Sequence, residues 1–147
     1  MSYPIELRQQ LTHPLQEKLQ ALYQTQLGHQ PSKITCQLFD KTLAIVIKDP
    51  VTQLEKLLLA NGQQDLAQRV RTSLEKLLRP QLKSMIEQVV HVDVVDLMVD
   101  THLHTNHTSI IAVFADAPQF PTPNGSSPNR VEPFPSPNAA FNGDDDE

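Results

Sequence analysis

Apolar positions recur along this chain in two successive cycles of the same form. Each cycle is a long stripe at three- and four-residue spacing followed by two short β-type runs, first over Pro4–Lys48 and again over Gln64–Ala115. In the first cycle Leu7, Leu11, Leu15, Leu19, Leu22 and Tyr23 share one face of a helix. The stripe keeps its phase across Pro14, which favours a kink over a break. Gly28 then supplies a C-cap, and Pro31 forbids continuation. Ile34–Phe39 and Leu43–Lys48 flank Asp40-Lys41, which reads as a tight hairpin turn. The second of these strands is apolar on nearly both faces, which suits a central place in a sheet.

Between the cycles, Asp49-Pro50 reads as a helix start, with a carboxylate cap and proline at the first helical position. Val51, Leu54, Leu57 and Leu58 would form the apolar face of this short helix, which ends at Asn61-Gly62. The second long stripe runs through Leu66, Val70, Leu74, Leu77, Leu78, Leu82, Met85, Ile86 and Val89, again in phase across a proline, Pro80. Val92–Asp100 and Ser109–Ala115 make the second hairpin around Thr105-Asn106. Val94 and Val95 are adjacent, whereas Leu97 and Val99 alternate in phase with Val95 only, so a β-bulge near Val94 is expected. The fold class that follows is α+β, in an αββ–αββ arrangement, with one small antiparallel or mixed four-stranded sheet and helices on a single face.

Composition changes the picture at the C-terminus. From Ala117 onward the chain carries seven of its 12 prolines and shows neither helical nor strand period. Such a segment buries too little apolar surface to offset its ordering entropy. The expected organisation is one folded domain over 1–116 and a disordered Pro/Asn-rich tail with an acidic end over 117–147. The tail holds Glu132, Asp144, Asp145, Asp146 and Glu147 against Arg130, a net of −4, which leaves −1 of the overall −5 for the body. A nearly neutral body argues against a nucleic-acid footprint. Arg69, Arg71, Lys76, Arg79 and Lys83 are then read as the solvated face of the long helix. Met1–Gln10 acquires no apolar core of a signal peptide, and Leu57–Ala60 and Ile110–Ala115 are far too short to span a bilayer, so the expected location is the cytoplasm.

The densest group of potential ligands is the run from Asp100 to His107. On an extended strand Asp100, His102 and His104 point to one face, and His107 can fold back across the turn. Imidazole and carboxylate at this spacing can hold zinc or another divalent ion, and apart from that candidate no cofactor is expected. The alternative is a polar hairpin tip whose histidines face water. Cys36, the single cysteine, sits in an apolar strand and reads as a buried inert thiol. Only Gly28 and Gly62 fall in the body, far short of a phosphate-cradling loop. Asp93 and Asp96, set among valines, read as the solvent face of the sheet. No catalytic constellation emerges, and a non-enzymatic protein is expected.

Several of these features resemble a bacterial family associated with the MpsC component of a sodium-translocating, membrane-potential-generating system. The resemblance covers about residues 5–115. It rests on the Gly28-His29-Gln30-Pro31 corner, the Asp40 turn before Leu43, the Val51-Thr52-Gln53-Leu54-Glu55-Lys56 helix start, Arg79-Pro80 in the long helix, and Asp100 ahead of the last turn. The family usually has a second glycine where His29 or Gln30 stands, and a Thr-Gly-Glu turn in place of Thr105-Asn106-His107. The resemblance implies no catalytic residues. It implies an accessory role beside a membrane ion or bicarbonate transport system, peripheral to the membrane complex.

Taken together, these readings point to an accessory or regulatory protein acting through protein–protein contact. Partner contacts are expected at Arg79 and Pro80, and at the Phe120-Pro121 and Phe134-Pro135 pieces of the tail, which suit aromatic grooves as extended polyproline segments. A solubilising appendage is the other reading of that tail. A sheet with helices on one face leaves the other face to be covered. Homodimerisation is therefore expected, with Val46, Val92 and Val94 as contributors. The alternative function is a metal- or small-ligand-responsive sensor built on the Asp100–His107 hairpin.

Overall fold

A computed structural model describes residues 5–118 of the chain. The elements run α1 (Ile5–Leu27), β1 (Lys33–Phe39), β2 (Thr42–Lys48), α2 (Gln53–Ala60), α3 (Gln64–Val90), β3 (Val94–His102) and β4 (His107–Phe114). The four strands form one antiparallel sheet in the order β1-β2-β4-β3. The α+β reading therefore holds, with every pairing antiparallel. Each hairpin contributes its second strand to the centre and its first to an edge. The expected tail lies outside the described residues, apart from Ala117 and Pro118.

Local chemistry explains most element boundaries. α1 stays continuous through Pro14, and α3 through Pro80. Gly28 closes α1 in the left-handed region at φ 63°, donating its N–H to Gln24 O at 3.1 Å. Asp40 takes φ 53° in the two-residue turn that sets Phe39 opposite Thr42. The expected bulge is present: Val94 pairs with Phe114 and Asp96 with Val113, leaving Val95 without a partner in the ladder.

The core lies between α1, α3 and one face of the sheet. Leu11, Leu15, Leu19 and Tyr23 of α1 and Leu78, Leu82, Ile86 and Val90 of α3 cover Leu38, Ile45, Ile47, Ile110 and Phe114. Fully burying each such aliphatic side chain contributes about 1.5–3 kcal/mol. α1 rests on β1 and α3 on β3, and the two helices touch. Val94 is buried in this core and Val92 packs against it, so neither contributes to the open face as expected. The bulge explains the difference for Val94, because it turns Val94 inward and leaves Val95 outside. Val46 does stand on the open face.

Four expectations about the helices need correction. Asp49 is not a helix cap: it sits in the left-handed region at φ 59°, and α2 begins with Thr52 as N-cap. Thr52 and Glu55 form a capping box, which satisfies orphan backbone donors better than an Asp-Pro start placed three residues earlier. Leu54 and Leu57 consequently face solvent, and it is Glu55 that turns inward. On α3, Leu77 is exposed while Arg71, read as part of a solvated face, is fully buried.

Candidate functional site

The turn between β3 and β4 is clasped to the junction between β2 and α2. Asn106, at φ 61°, donates from Nδ2 to Asp49 Oδ1 at 2.9 Å and accepts the Val51 N–H on Oδ1 at 3.1 Å. Asp49 also donates its backbone N–H to Asn106 O and accepts Lys56 Nζ on Oδ1 at 3.2 Å. His29 Nε2 donates to Asp49 O at 2.6 Å, tying in the corner that follows α1. The Asp49 carboxyl is held below its ordinary range, first by the Asn106 hydrogen bond and then by Lys56. Asn106 holds a left-handed backbone, the conformation that glycine adopts without penalty. Asparagine is among the few other residues that tolerate this left-handed conformation.

This clasp separates the histidines. β3 ends at His102, so His104 falls in the turn instead of continuing the strand face, and its ring meets the Gln64 side chain at the start of α3. His102 Nε2 lies 2.9 Å from Asp100 Oδ2, with both side chains largely in water. His107 stands opposite His102 across the ladder. Asp100, His102 and His107 thus share the open face of the sheet, while His104 leaves it. Among the described residues, no three of the His, Cys, Asp and Glu side chains converge in a way that could hold a metal ion. A pocket of about 400 Å³ beside the turn is lined by Gln64, Gln68 and the segment 100–105.

Beneath the clasp lies a polar knot that the sequence reading missed. Glu55 and Arg71 are both fully buried. Arg71 donates from Nε to Glu55 Oε2 at 2.7 Å, and from Nη2 to Glu55 Oε1 at 2.6 Å and Pro50 O at 2.8 Å. Glu55 Oε1 also accepts the Thr52 N–H and hydroxyl, completing the cap. A small apolar cluster of Val51, Ala67 and Leu103 lies alongside. Two signals could have exposed the knot: the Thr-x-x-Glu pattern at 52–55, and the placement of Arg71 in phase with Ala67 and Leu78 on the inner stripe of α3.

The polar character extends under the sheet. The Thr101 hydroxyl bonds the Glu75 carboxylate and lies 2.6 Å from the Thr108 hydroxyl. Burial raises the Glu75 carboxyl above its usual range, against the lowering effects of Thr101 and Arg71. Burial also raises the Tyr23 phenol, partly offset by the Arg71 charge.

Arg79 and Pro80, expected as partner contacts, line an open groove of about 340 Å³ with Lys83 and residues 94–97 of edge strand β3. Arg79 Nη1 donates to Leu97 O at 2.6 Å and so covers one carbonyl of that edge. Phe120, Pro121, Phe134 and Pro135 lie outside the described residues. Cys36 lines a cleft of about 740 Å³ between α1 and β1. Burial pushes its thiol up to about 12, which keeps the nucleophilic thiolate scarce.

No curated protein and no solved structure matches the chain. The model of one family does, described as Na+-translocating membrane potential-generating system (MpsC), over residues 7–116. The match takes in both helix–hairpin cycles, the Gly28–Pro31 corner, the clasp and the buried knot. By this match across nearly all of the described domain, the chain belongs to the MpsC family.

Proposed function

We propose that this protein is a non-enzymatic accessory or regulatory component that works by protein–protein contact beside a membrane ion-transport system. The observation that carries the reading is the family match over residues 7–116, whose description names a Na+-translocating, membrane-potential-generating system. The surface is consistent with such a role. The groove at Arg79 and Pro80 runs along an edge strand, and the face of the sheet that no described helix covers leaves Val46 and Met98 exposed. Among the described residues no helix is long and apolar enough to cross a membrane. In this reading the domain is cytoplasmic and meets the complex through its surface.

The test is affinity purification of the full-length chain, and of a chain truncated at Ala117, from native cells. Proteins recovered from soluble and membrane fractions are then identified by mass spectrometry. Recovery of a membrane ion-transport subunit by both forms is the expected result and places the contact on the folded body. Recovery of soluble partners alone, lost on truncation, would overturn the reading in favour of an adaptor that binds through its tail.

A further inference from the structure

The outer edge of β3 is open among the described residues, because the sheet order places β4 on one side of it and no strand on the other. Leu97 O points out of the sheet to meet Arg79 Nη1, so the Leu97 N–H faces the same open edge. Beside this edge lies the groove of about 340 Å³, lined by Arg79, Pro80 and Lys83 of α3 and by residues 94–97. The bulge leaves Val95 facing out with 62% of its surface exposed. An apolar wall, two cations and an unpaired strand edge are thus side by side.

The chain leaves the sheet at the mouth of this groove. Ala115 donates its N–H to Asp93 O at 2.9 Å, one residue before the first groove residue, Val94. Pro118, where the described residues end, is buried, so the chain stays against the body to that point. Gln119-Phe120-Pro121-Thr122-Pro123 follows. In an extended segment alternate N–H groups point to the same side. Phe120 and Thr122 would therefore turn theirs to one side, while Pro121 and Pro123 on the other have none to offer. Such a segment pairs along one side only, and proline suits the outermost edge of a sheet.

We propose that residues 119–123 fold back on their own domain, lying along the outer edge of β3 with Phe120 in the groove at Arg79, Pro80 and Lys83. Getting there from β4 means crossing two strand spacings, about 10 Å, which residues 115–119 span at up to about 3.4 Å each. Phe120 is then the first large side chain to arrive, against Val95 and Pro80 and beside the Arg79 guanidinium. The net −4 of the tail suits a groove whose two cations outnumber the single carboxylate of Asp96. Phe134-Pro135-Ser136-Pro137 repeats the pattern but must close a longer loop, which makes it the weaker competitor for the same site. The contact is internal to the chain and does not depend on the accessory role proposed above. A partner that uses Arg79 and Pro80 has first to displace it.

Nuclear magnetic resonance of the full-length, 15N-labelled chain tests the contact. Backbone order parameters at Phe120 and Thr122 are expected near about 0.8, as in a rigid strand. Phe120→Ser should drop Thr122 below about 0.6 and shift the amides of Arg79, Lys83 and Val95. The same variant should speed hydrogen exchange at the Leu97 amide about tenfold, which reads pairing and not mere nearness. Phe134→Ser should leave all of these unchanged. Both variants should keep the circular dichroism spectrum of the parent, since the described core contains no side chain from either segment. Three results would each overturn the proposal. These are order parameters below about 0.6 at Phe120 and Thr122 in the parent chain, a groove that answers to Phe134 instead, or Arg79 and Leu97 signals that move with protein concentration. The last would place a segment of a second copy in the groove.

Discussion

Between the sheet and the α1–α3 pair the buried side chains are aliphatic or aromatic apart from a few threonines, while under the β3–β4 turn the largest buried side chains are a glutamate and an arginine. The two regions meet along α3, whose C-terminal half packs Leu78, Leu82 and Ile86 and whose N-terminal half packs Ala67 and Arg71. They should respond differently to damage. An aliphatic core loses stability in proportion to the atoms removed and the cavity left. A buried ion pair loses little when it is whole and a great deal when it is halved, because the surviving charge has neither water nor partner.

The strongest test of that contrast is Arg71→Met, which strands the Glu55 carboxylate. Urea unfolding should show a loss of about 3–5 kcal/mol. Replacing both partners, as Glu55→Leu with Arg71→Met, should recover most of it even though the capping box is lost. Nη1 of Arg71 has no hydrogen-bond partner among the described residues, so the native pair carries a cost of its own. A double variant as unstable as the single one would erase the distinction between the regions.

A smaller effect separates the cap from the pair. Thr52→Ala removes the hydroxyl that accepts the Glu55 N–H but leaves Arg71 and Glu55 together. The expected loss is about 1 kcal/mol in the same unfolding assay. A loss as large as that of Arg71→Met would mean that the cap, not the charge pair, holds this region.

The smallest effect has the opposite sign. Glu75 has a folded pKa raised by burial, so its proton is held more tightly in the native state than in the unfolded one. Its contribution to stability is therefore full below the ordinary carboxylate pKa and is lost as pH rises through the folded value. Glu75→Gln mimics the protonated form and keeps an acceptor for the Thr101 hydroxyl. Unfolding measured at a series of pH values should find the two proteins alike in acid and the variant ahead, by less than about 1 kcal/mol, near neutrality. A variant that falls behind as pH rises would show that the Thr101 and Arg71 contacts outweigh burial.

The same contrast explains what could be read from the chain. The α1 stripe, Gly28, the Asp40 turn and the bulge at Val95 are written in local spacing and turn chemistry, and each reads directly. The knot depends on residues 16 positions apart meeting in the interior. Charged side chains are assigned to the surface by default, so Arg71 was grouped with Arg69 and Lys76, although its phase matches Ala67 and Leu78. The hairpin tip misleads for another reason. Parity places His104 beside His102 only if the strand continues, and β3 stops at His102. Where the strand stops depends on Asn106 and its bonds to Asp49 and Val51, residues more than 50 positions away in the chain.

The clasp has a consequence for how the chain reaches this fold. Each hairpin closes with neighbours a few residues off, but β2 must find β4, and Lys48 and His107 lie roughly sixty residues apart. That closure is the slow, entropy-limited event in a topology otherwise rich in local contacts. Asp49 and Asn106 directly adjoin the Lys48–His107 pair, at the end of the seam where the two halves join. They sit where the first tooth of a zip would engage, so that the remaining β2–β4 pairs can close in sequence toward Thr42 and Val113.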